Sequence, residues 1–141
     1  TFRIETLKKL KLILKENEEK LYTAIYTDFK KSEFETYLTE LSLIYNELND
    51  AIHNLKKWSK QKRVSTNLAN FPAKSYIIPE PLGTILVISA WNYPYQLSLI
   101  PAISAIAAGN TVVIKPSEIA KNTSKILAEL INSNFDKYAC Q

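Results

Sequence analysis

Four residues stand where a chain of this pattern could do chemistry. Trp91 and Asn92 lie in Ala90-Trp91-Asn92-Tyr93-Pro94, and Lys115 and Glu118 bound Lys115-Pro116-Ser117-Glu118. The Asn92 carboxamide can donate hydrogen bonds to an oxyanion from a fixed position, and Asn is equally an ordinary turn residue. Trp91 has a flat face to lay against a cofactor, or the bulk to fill core. Lys115 could hold a ribose hydroxyl or a phosphate, and an acidic side chain at a strand end, such as Glu118, can accept from ribose hydroxyls. The plain alternative for residues 116–118 is a strand-to-helix turn. No G-x-G-x-x-G is present, so the usual pyrophosphate loop is not claimed. The chain holds only two Gly, Gly83 and Gly109, against an average usage of about 7%. Any Gly-rich cofactor loop therefore lies elsewhere or is missing.

The remaining reactive side chains read as structural. His53 is the only His and lies mid-helix with no Cys or acidic ligand cluster nearby, which points to a surface or interface His, and no metal site is expected. Cys140 is the only Cys. It excludes an internal disulfide, fits a reducing compartment, has no base adjacent in sequence, and reads as a buried structural thiol. Asn122-Thr123-Ser124 matches a glycosylation sequon, read here as a chance match.

The elements that must position these groups follow from periodicity. Thr84 to Ser89 is an almost unbroken apolar run, as expected for a strand covered on both faces. Tyr95 to Ala108 is apolar nearly all round and predicts a buried helix, with Pro94 in its first turn and Pro101 kinking it or marking its early turns. Gly109-Asn110 is a C-cap and turn signal, Thr111 to Ile114 a second strand, and Lys121 to Asn132 a further helix. This β-α-β order feeds a parallel sheet and puts the four polar or aromatic residues at the carboxyl ends of its strands, where ligands bind in open parallel sheets. Tyr138-Ala139-Cys140 is read as the start of a third strand. Two strands alone do not make a stable doubly wound sheet, so the chain looks like the front part of a larger fold.

Ahead of this unit the spacing is helical. Residues 2–31 predict two helices joined near Glu16-Asn17. Ser32 and Glu35 form a capping box that opens a long helix to about Lys62, with its stripe at Phe34, Tyr37-Leu38, Leu41, Ile44-Tyr45, Leu48, Ile52, Leu55 and Trp58. Residues 64–73 are a polar connection, and Ser75 to Ile78 is a short edge or crossing strand ended by Pro79-Glu80-Pro81. The organisation expected is a helical segment over 1–63, a connection with a short strand over 64–82, and the first part of a parallel sheet over 83–141.

Composition sets the outer bounds. The 141 residues are 46% hydrophobic and 23% charged, an ordinary globular mix. There is no Met, even at position 1, which reads as a trimmed chain or an internal fragment. The net charge of +4 comes from 18 basic and 14 acidic residues, with basic clusters at Lys8-Lys9-Leu10-Lys11 and Lys56 to Arg63. Interleaved Glu5, Glu16, Glu18 and Glu19 favour a solvated helix face plus a basic helix C-terminus over a nucleic-acid or membrane patch. No run reaches the roughly 18 apolar residues that a membrane span needs, and Thr1 to Glu5 is not a signal peptide. A cytoplasmic protein without a nucleic-acid partner is expected.

Taken in order, Pro81-Leu82-Gly83, Trp91-Asn92-Tyr93-Pro94, Pro101 in the apolar helix, Ala107-Ala108-Gly109-Asn110 and Lys115-Pro116-Ser117-Glu118 closely resemble the N-terminal part of the aldehyde dehydrogenase superfamily. The helical segment before them is most similar to its class-3-like or fatty-aldehyde members. The resemblance implies an α/β fold, N-terminal helices followed by the first β-α-β part of a Rossmann-like doubly wound parallel sheet. It implies an NAD or NADP cofactor and an aldehyde substrate oxidised to the acid. Asn92 would donate its side-chain amide to the oxygen of a thiohemiacetal, Ile88, Ser89 and Trp91 would line the cofactor crevice, and Lys115 and Glu118 would contact the adenine ribose. The helix from Ser32 would support the cofactor domain. The Ser75–Ile78 strand would belong to an oligomerisation ribbon, with a homodimer as the assembly. The family's nucleophilic Cys, general-base Glu and Gly-containing cofactor turn fall beyond Gln141, and Cys140 does not match the nucleophile's motif. Ser89-Ala90 stands where many members carry Gly-Pro or a similar pair. The 141-residue chain alone is accordingly expected to be inactive, and the competing expectation is a truncated, non-catalytic binding or interaction module.

Overall fold

Helix α1 (Phe2–Glu16) and helix α2 (Glu18–Phe29) carry apolar residues at helical spacing and bury Leu7, Leu10, Leu14, Leu21 and Ile25. The structure, a computed structural model, describes residues 2–135. The break falls at Asn17, as the sequence suggested, but the side chain works backwards. Its Nδ2 donates to the Ile13 carbonyl at 2.9 Å and gives α2 no cap.

The single long helix expected from Ser32 is three pieces. These are α3 (Glu33–Thr36), a π-helical turn (Tyr37–Leu41) and α4 (Ser42–Trp58). Ser32 does open it, its Oγ accepting from the Glu35 N–H at 3.2 Å. The π turn carries an extra residue, so the buried face changes phase across it. Phe34, Tyr37 and Leu38 of the expected stripe are exposed, Phe34 at 77%, while Thr36, Glu40 and Leu41 are buried. Beyond the turn Ile44, Tyr45, Leu48 and Leu55 face the core as expected, whereas Trp58 is half exposed.

Helix α4 stops at Trp58, and Lys62 belongs to a strand that the sequence reading missed. Strand β1 (Lys62–Val64) pairs antiparallel with β2 (Ser75–Ile77), Arg63 facing Tyr76. Three residues leave no period to read, and the basic run continues without a change of composition from the helix end.

Strand β3 (Thr84–Ile88), helix α5 (Pro94–Ala108) and strand β4 (Thr111–Lys115) form the expected β-α-β unit with the two strands parallel. Pro94 sits in the first helical turn, and α5 continues through Pro101 without ending there. Gly109 closes α5 with φ +96°, where a side chain would be strained. Asn110 then braces the sheet: its Oδ1 accepts from the N–H groups of Leu82 (2.7 Å) and Gly83 (3.0 Å), and its Nδ2 donates to the Ala105 carbonyl (3.2 Å). Arg3 donates to the Ala107 carbonyl at 2.8 Å, placing a cation at the negative end of α5. Tyr95, Leu99, Ile103 and Ile106 make α5 the centre of the core, with α1 and α4 packed against it.

The expectation that β3 is covered on both faces is not met among the described residues. Helix α5 packs against β3, where Val87 is buried and Ile85 partly so, while Leu86 and Ile88 on the other face are 58% and 69% exposed. Helix α6 (Lys121–Asn134) packs on α2. The third strand expected at Tyr138–Cys140, and the thiol of Cys140, lie outside the described residues.

Candidate active site at the carboxyl edge of the parallel strands

The β3–β4 register sets Ile88 opposite Lys115, and the Ser89 N–H donates to the Lys115 carbonyl at 3.1 Å. The two strands therefore end level, and Ile88, Ser89 and Lys115 share one edge. Ile88 presents an exposed apolar side chain there. Ser89 does not present its hydroxyl. It is buried, 2.7 Å from Ser98 Oγ, and Ser98 in turn donates to the Pro94 carbonyl at 2.6 Å. The Ser89 side chain thus fixes α5 against β3, and only its backbone is left to line the edge.

From Ser89 the chain turns through Ala90–Tyr93 into α5. Trp91 is 50% exposed, its ring centroid 5.9 Å from that of Phe29 at an interplanar angle of 39°. It does not fill core, since half of it remains open to a ligand. Asn92 is exposed, and its carboxamide makes no hydrogen bond among the described residues. It lies two residues before Pro94, beside the N-terminus of α5, whose peptide dipoles favour negative charge. A free carboxamide next to a helix N-terminus can stabilise a developing oxyanion.

The turn is held from beneath by groups that the sequence reading did not single out. Tyr93, the residue before α5, gives no side-chain cap. Instead Glu40, 0% exposed, accepts through Oε2 from the N–H groups of Tyr95 (2.8 Å) and Gln96 (3.2 Å). Its Oε1 pairs with Lys31 Nζ at 2.8 Å, and the same ammonium lies 4.3 Å from the centroid of the Tyr93 ring. Tyr95 is fully buried and donates to the Leu21 carbonyl at 2.8 Å, and burial pushes its phenol far above the usual range. A signal for Glu40 existed. Counting back from Leu48 in helical steps passes Ile44 and reaches Leu41 or Glu40, then Thr36, so a charged residue sits on a core stripe.

Beyond β4, Lys115 and Glu118 form an exposed ion pair at 2.5 Å, and the Lys115 hydrogen bond holds the Glu118 carboxyl below its ordinary value. Residues 116–120 also make the strand-to-helix turn foreseen as the plain alternative, with Ser124 Oγ donating to the Ser117 carbonyl at 2.9 Å. Ala120 cannot cap α6, and Asp28 of α2 does so from a distance. Its carboxylate accepts from Asn122 N (3.1 Å), Asn122 Nδ2 (2.8 Å), Thr123 N (2.8 Å) and Thr123 Oγ1 (2.8 Å). Partial burial pushes the Asp28 carboxyl upward, but these hydrogen bonds outweigh it and the net shift is down. The apparent sequon thus supplies a helix-anchoring pair.

The candidate groups stand along this edge, whereas a concavity lies at the opposite end of the strands. It measures about 760 Å³ and is lined by Arg3, Trp58, Pro81, Gly109 and Asn110 among others. Of its lining, Gly109 and Asn110 are committed to the α5 cap and the β3 brace. His53 is exposed on α4, and among the described residues no group of three His, Cys, Asp or Glu could hold a metal. No helix among them is long and apolar enough to cross a membrane.

Residues 1–140 match the model of the aldehyde dehydrogenase family. The chain is 47% identical over 136 residues to 4,4'-diaponeurosporen-aldehyde dehydrogenase of Staphylococcus aureus, covering 96% of this chain and 30% of that protein. It is 47% identical over 136 residues to aldehyde dehydrogenase family 3 member B1 of Bos taurus, covering 96% and 29%. The substrate-bound structure of Staphylococcus aureus AldH superimposes with a TM-score of 0.96 at 46% identity, covering 99% of this chain and 31% of that one. The chain thus spans about 30% of the length of the curated relatives it matches.

Proposed function

The chain belongs to the aldehyde dehydrogenase family, and from that premise we propose that it supplies the oxyanion donor and part of the cofactor crevice of an NAD(P)-dependent enzyme that oxidises an aldehyde to a carboxylic acid. The observation that carries this reading is the level ending of β3 and β4, with Ile88 opposite Lys115 and the unbonded Asn92 carboxamide on the turn that follows. A nicotinamide cofactor, when bound, supplies the hydride acceptor.

Lys115 and Glu118 offer a donor and an acceptor side by side, which suits the hydroxyl pair of a ribose. Their ion pair is exposed and is exchanged for the ligand at little cost. Ile88 offers an apolar wall, Ser89 a backbone approach, and Trp91 a flat, half-open face. Asn92 donates to the carbonyl oxygen as negative charge builds on it during attack by a thiolate. The thiolate and the general base are proposed to come from sequence beyond Gln141, which leaves the 141-residue chain inactive alone. The protein is proposed to be cytoplasmic, with the β1–β2 ribbon contributing to a homodimer.

The test is reduction of NAD⁺ or NADP⁺ by the full-length protein over a panel of aldehydes, followed at the nicotinamide absorbance. Aldehyde-dependent reduction is expected. Its absence with every aldehyde and both cofactors refutes the proposal. A second reading, a non-catalytic binding or interaction module, draws on the exposed Leu68, Phe71, Ile77 and Ile78 around the ribbon. A cooperative melt of the 141-residue chain supports it, and a molten, dye-binding chain rules it out.

A further inference from the structure

We propose that the buried Lys31–Glu40 pair is a positioning device for Asn92, acting through the first turn of α5. The inference rests on the reading of Asn92 as the oxyanion donor. Three observations carry it. Pro94 has no N–H, and the next two N–H groups of α5, from Tyr95 and Gln96, both go to Glu40 Oε2. A helix N-terminus without a local cap needs such an acceptor, and this one comes from 55 residues earlier in the chain. Lys31 bonds the other carboxylate oxygen and also sits over the ring of Tyr93, the residue next to Asn92. The pair therefore grips the chain on the C-terminal side of Asn92 at Tyr93, Tyr95 and Gln96. Asn92 itself has no hydrogen bond among the described residues, so its direction is set by the backbone that the pair holds.

The pair also stabilises the fold, and a purely structural role must be separated from a positioning one. Removing one partner leaves a buried charge and is strongly destabilising, whereas replacing both with apolar groups is often tolerated. The variant is therefore Lys31→Met with Glu40→Leu, made in the full-length enzyme with Asn92 and again with Asn92→Ala. Steady-state kcat and cofactor KM are measured on protein shown folded by circular dichroism. The double replacement frees the α5 N-terminus, and kcat is expected to fall about tenfold or more in the Asn92 background, since misplacement of a catalytic group by about 1 Å costs as much as 10²-fold. In the Asn92→Ala background it is expected to change less than about twofold, because residues that act through one another are non-additive. Cofactor KM stays within about twofold in both, since the pair does not touch the Lys115–Glu118 side of the edge.

The same fold-loss in both backgrounds, or no loss with Asn92 present, overturns the inference while leaving the role of Asn92 standing. If Asn92→Ala alone keeps full kcat, the functional reading falls and the inference with it. Should the Leu variant not fold, Lys31→Met with Glu40→Gln, which keeps one acceptor oxygen, is put through the same cycle. It is then expected to lose about threefold in kcat only when Asn92 is present.

Discussion

Replacing Asp28 with Ala should loosen α6 and, with it, the turn that carries Lys115 and Glu118. The carboxylate accepts four hydrogen bonds at 2.8–3.1 Å, two from backbone N–H groups of the first turn of α6 and two from side chains. Loss of an ordinary helix cap costs about 0.5–2 kcal/mol, and hydrogen bonds to a charged acceptor contribute about 1.5–3 kcal/mol. Asp28 is only partly buried, so water screens part of this, and about 2 kcal/mol is the expected loss. Asp28→Asn, which keeps one acceptor oxygen, should lose about half as much. The sign of the pH dependence follows from the direction of the shift. The folded-state pKa is depressed, so the stabilisation is complete above the unfolded value of about 3.9 and is lost as pH falls through the folded one. The assay is denaturant unfolding by circular dichroism from pH 7 down to pH 3. The gap between the parent protein and Asp28→Asn should narrow steadily below about pH 4. Equal stability at pH 7, or a gap that widens in acid, refutes the capping argument.

Three further outcomes follow from the same packing. Asn110→Ala removes the brace on Leu82 and Gly83 and should cost about 1 kcal/mol in unfolding free energy, because the two exposed N–H groups exchange their acceptor for water. The Tyr22 phenol, pushed up to about 12 by burial and by Glu18 beside it, should titrate late in an ultraviolet pH titration. Its contribution to stability is full below about pH 10 and fades as pH rises through about 12. Glu118→Ala should raise the cofactor KM several-fold with little change in kcat, whereas Ser89→Ala, whose hydroxyl points to Ser98, should leave cofactor KM unchanged. Steady-state kinetics of the full-length protein distinguish the two.

The β3-α5-β4 unit was legible because each element announces itself over four residues or more. The strands are unbroken apolar runs, the helix is apolar all round, and Pro94 and Gly109 mark its ends. Local signals also placed Lys115, Glu118 and Asn92 at strand ends, since register follows from the parallel pairing of equal runs. What was hidden is non-local. The π turn at Tyr37–Leu41 changes the buried face without a residue type that marks it, so helical spacing puts Phe34 and Leu38 on the core stripe while Glu40 is the residue buried. Strand β1 is three residues whose partner lies 13 residues on from Arg63 at Tyr76. Asp28 and Glu40 act on Asn122 and Tyr95 across the fold, and nothing in their immediate neighbours reveals a partner. Trp91 was ambiguous from sequence because a half-buried indole is both packing and platform.

The central claim, that Asn92 is the oxyanion donor at this edge, is tested most directly by single-turnover oxidation of an aldehyde by the full-length Asn92→Ala enzyme at saturating cofactor. A rate loss worth about 3 kcal/mol, roughly a hundredfold or more, is expected, with cofactor affinity nearly unchanged. An unchanged rate, or a loss confined to cofactor binding, contradicts it.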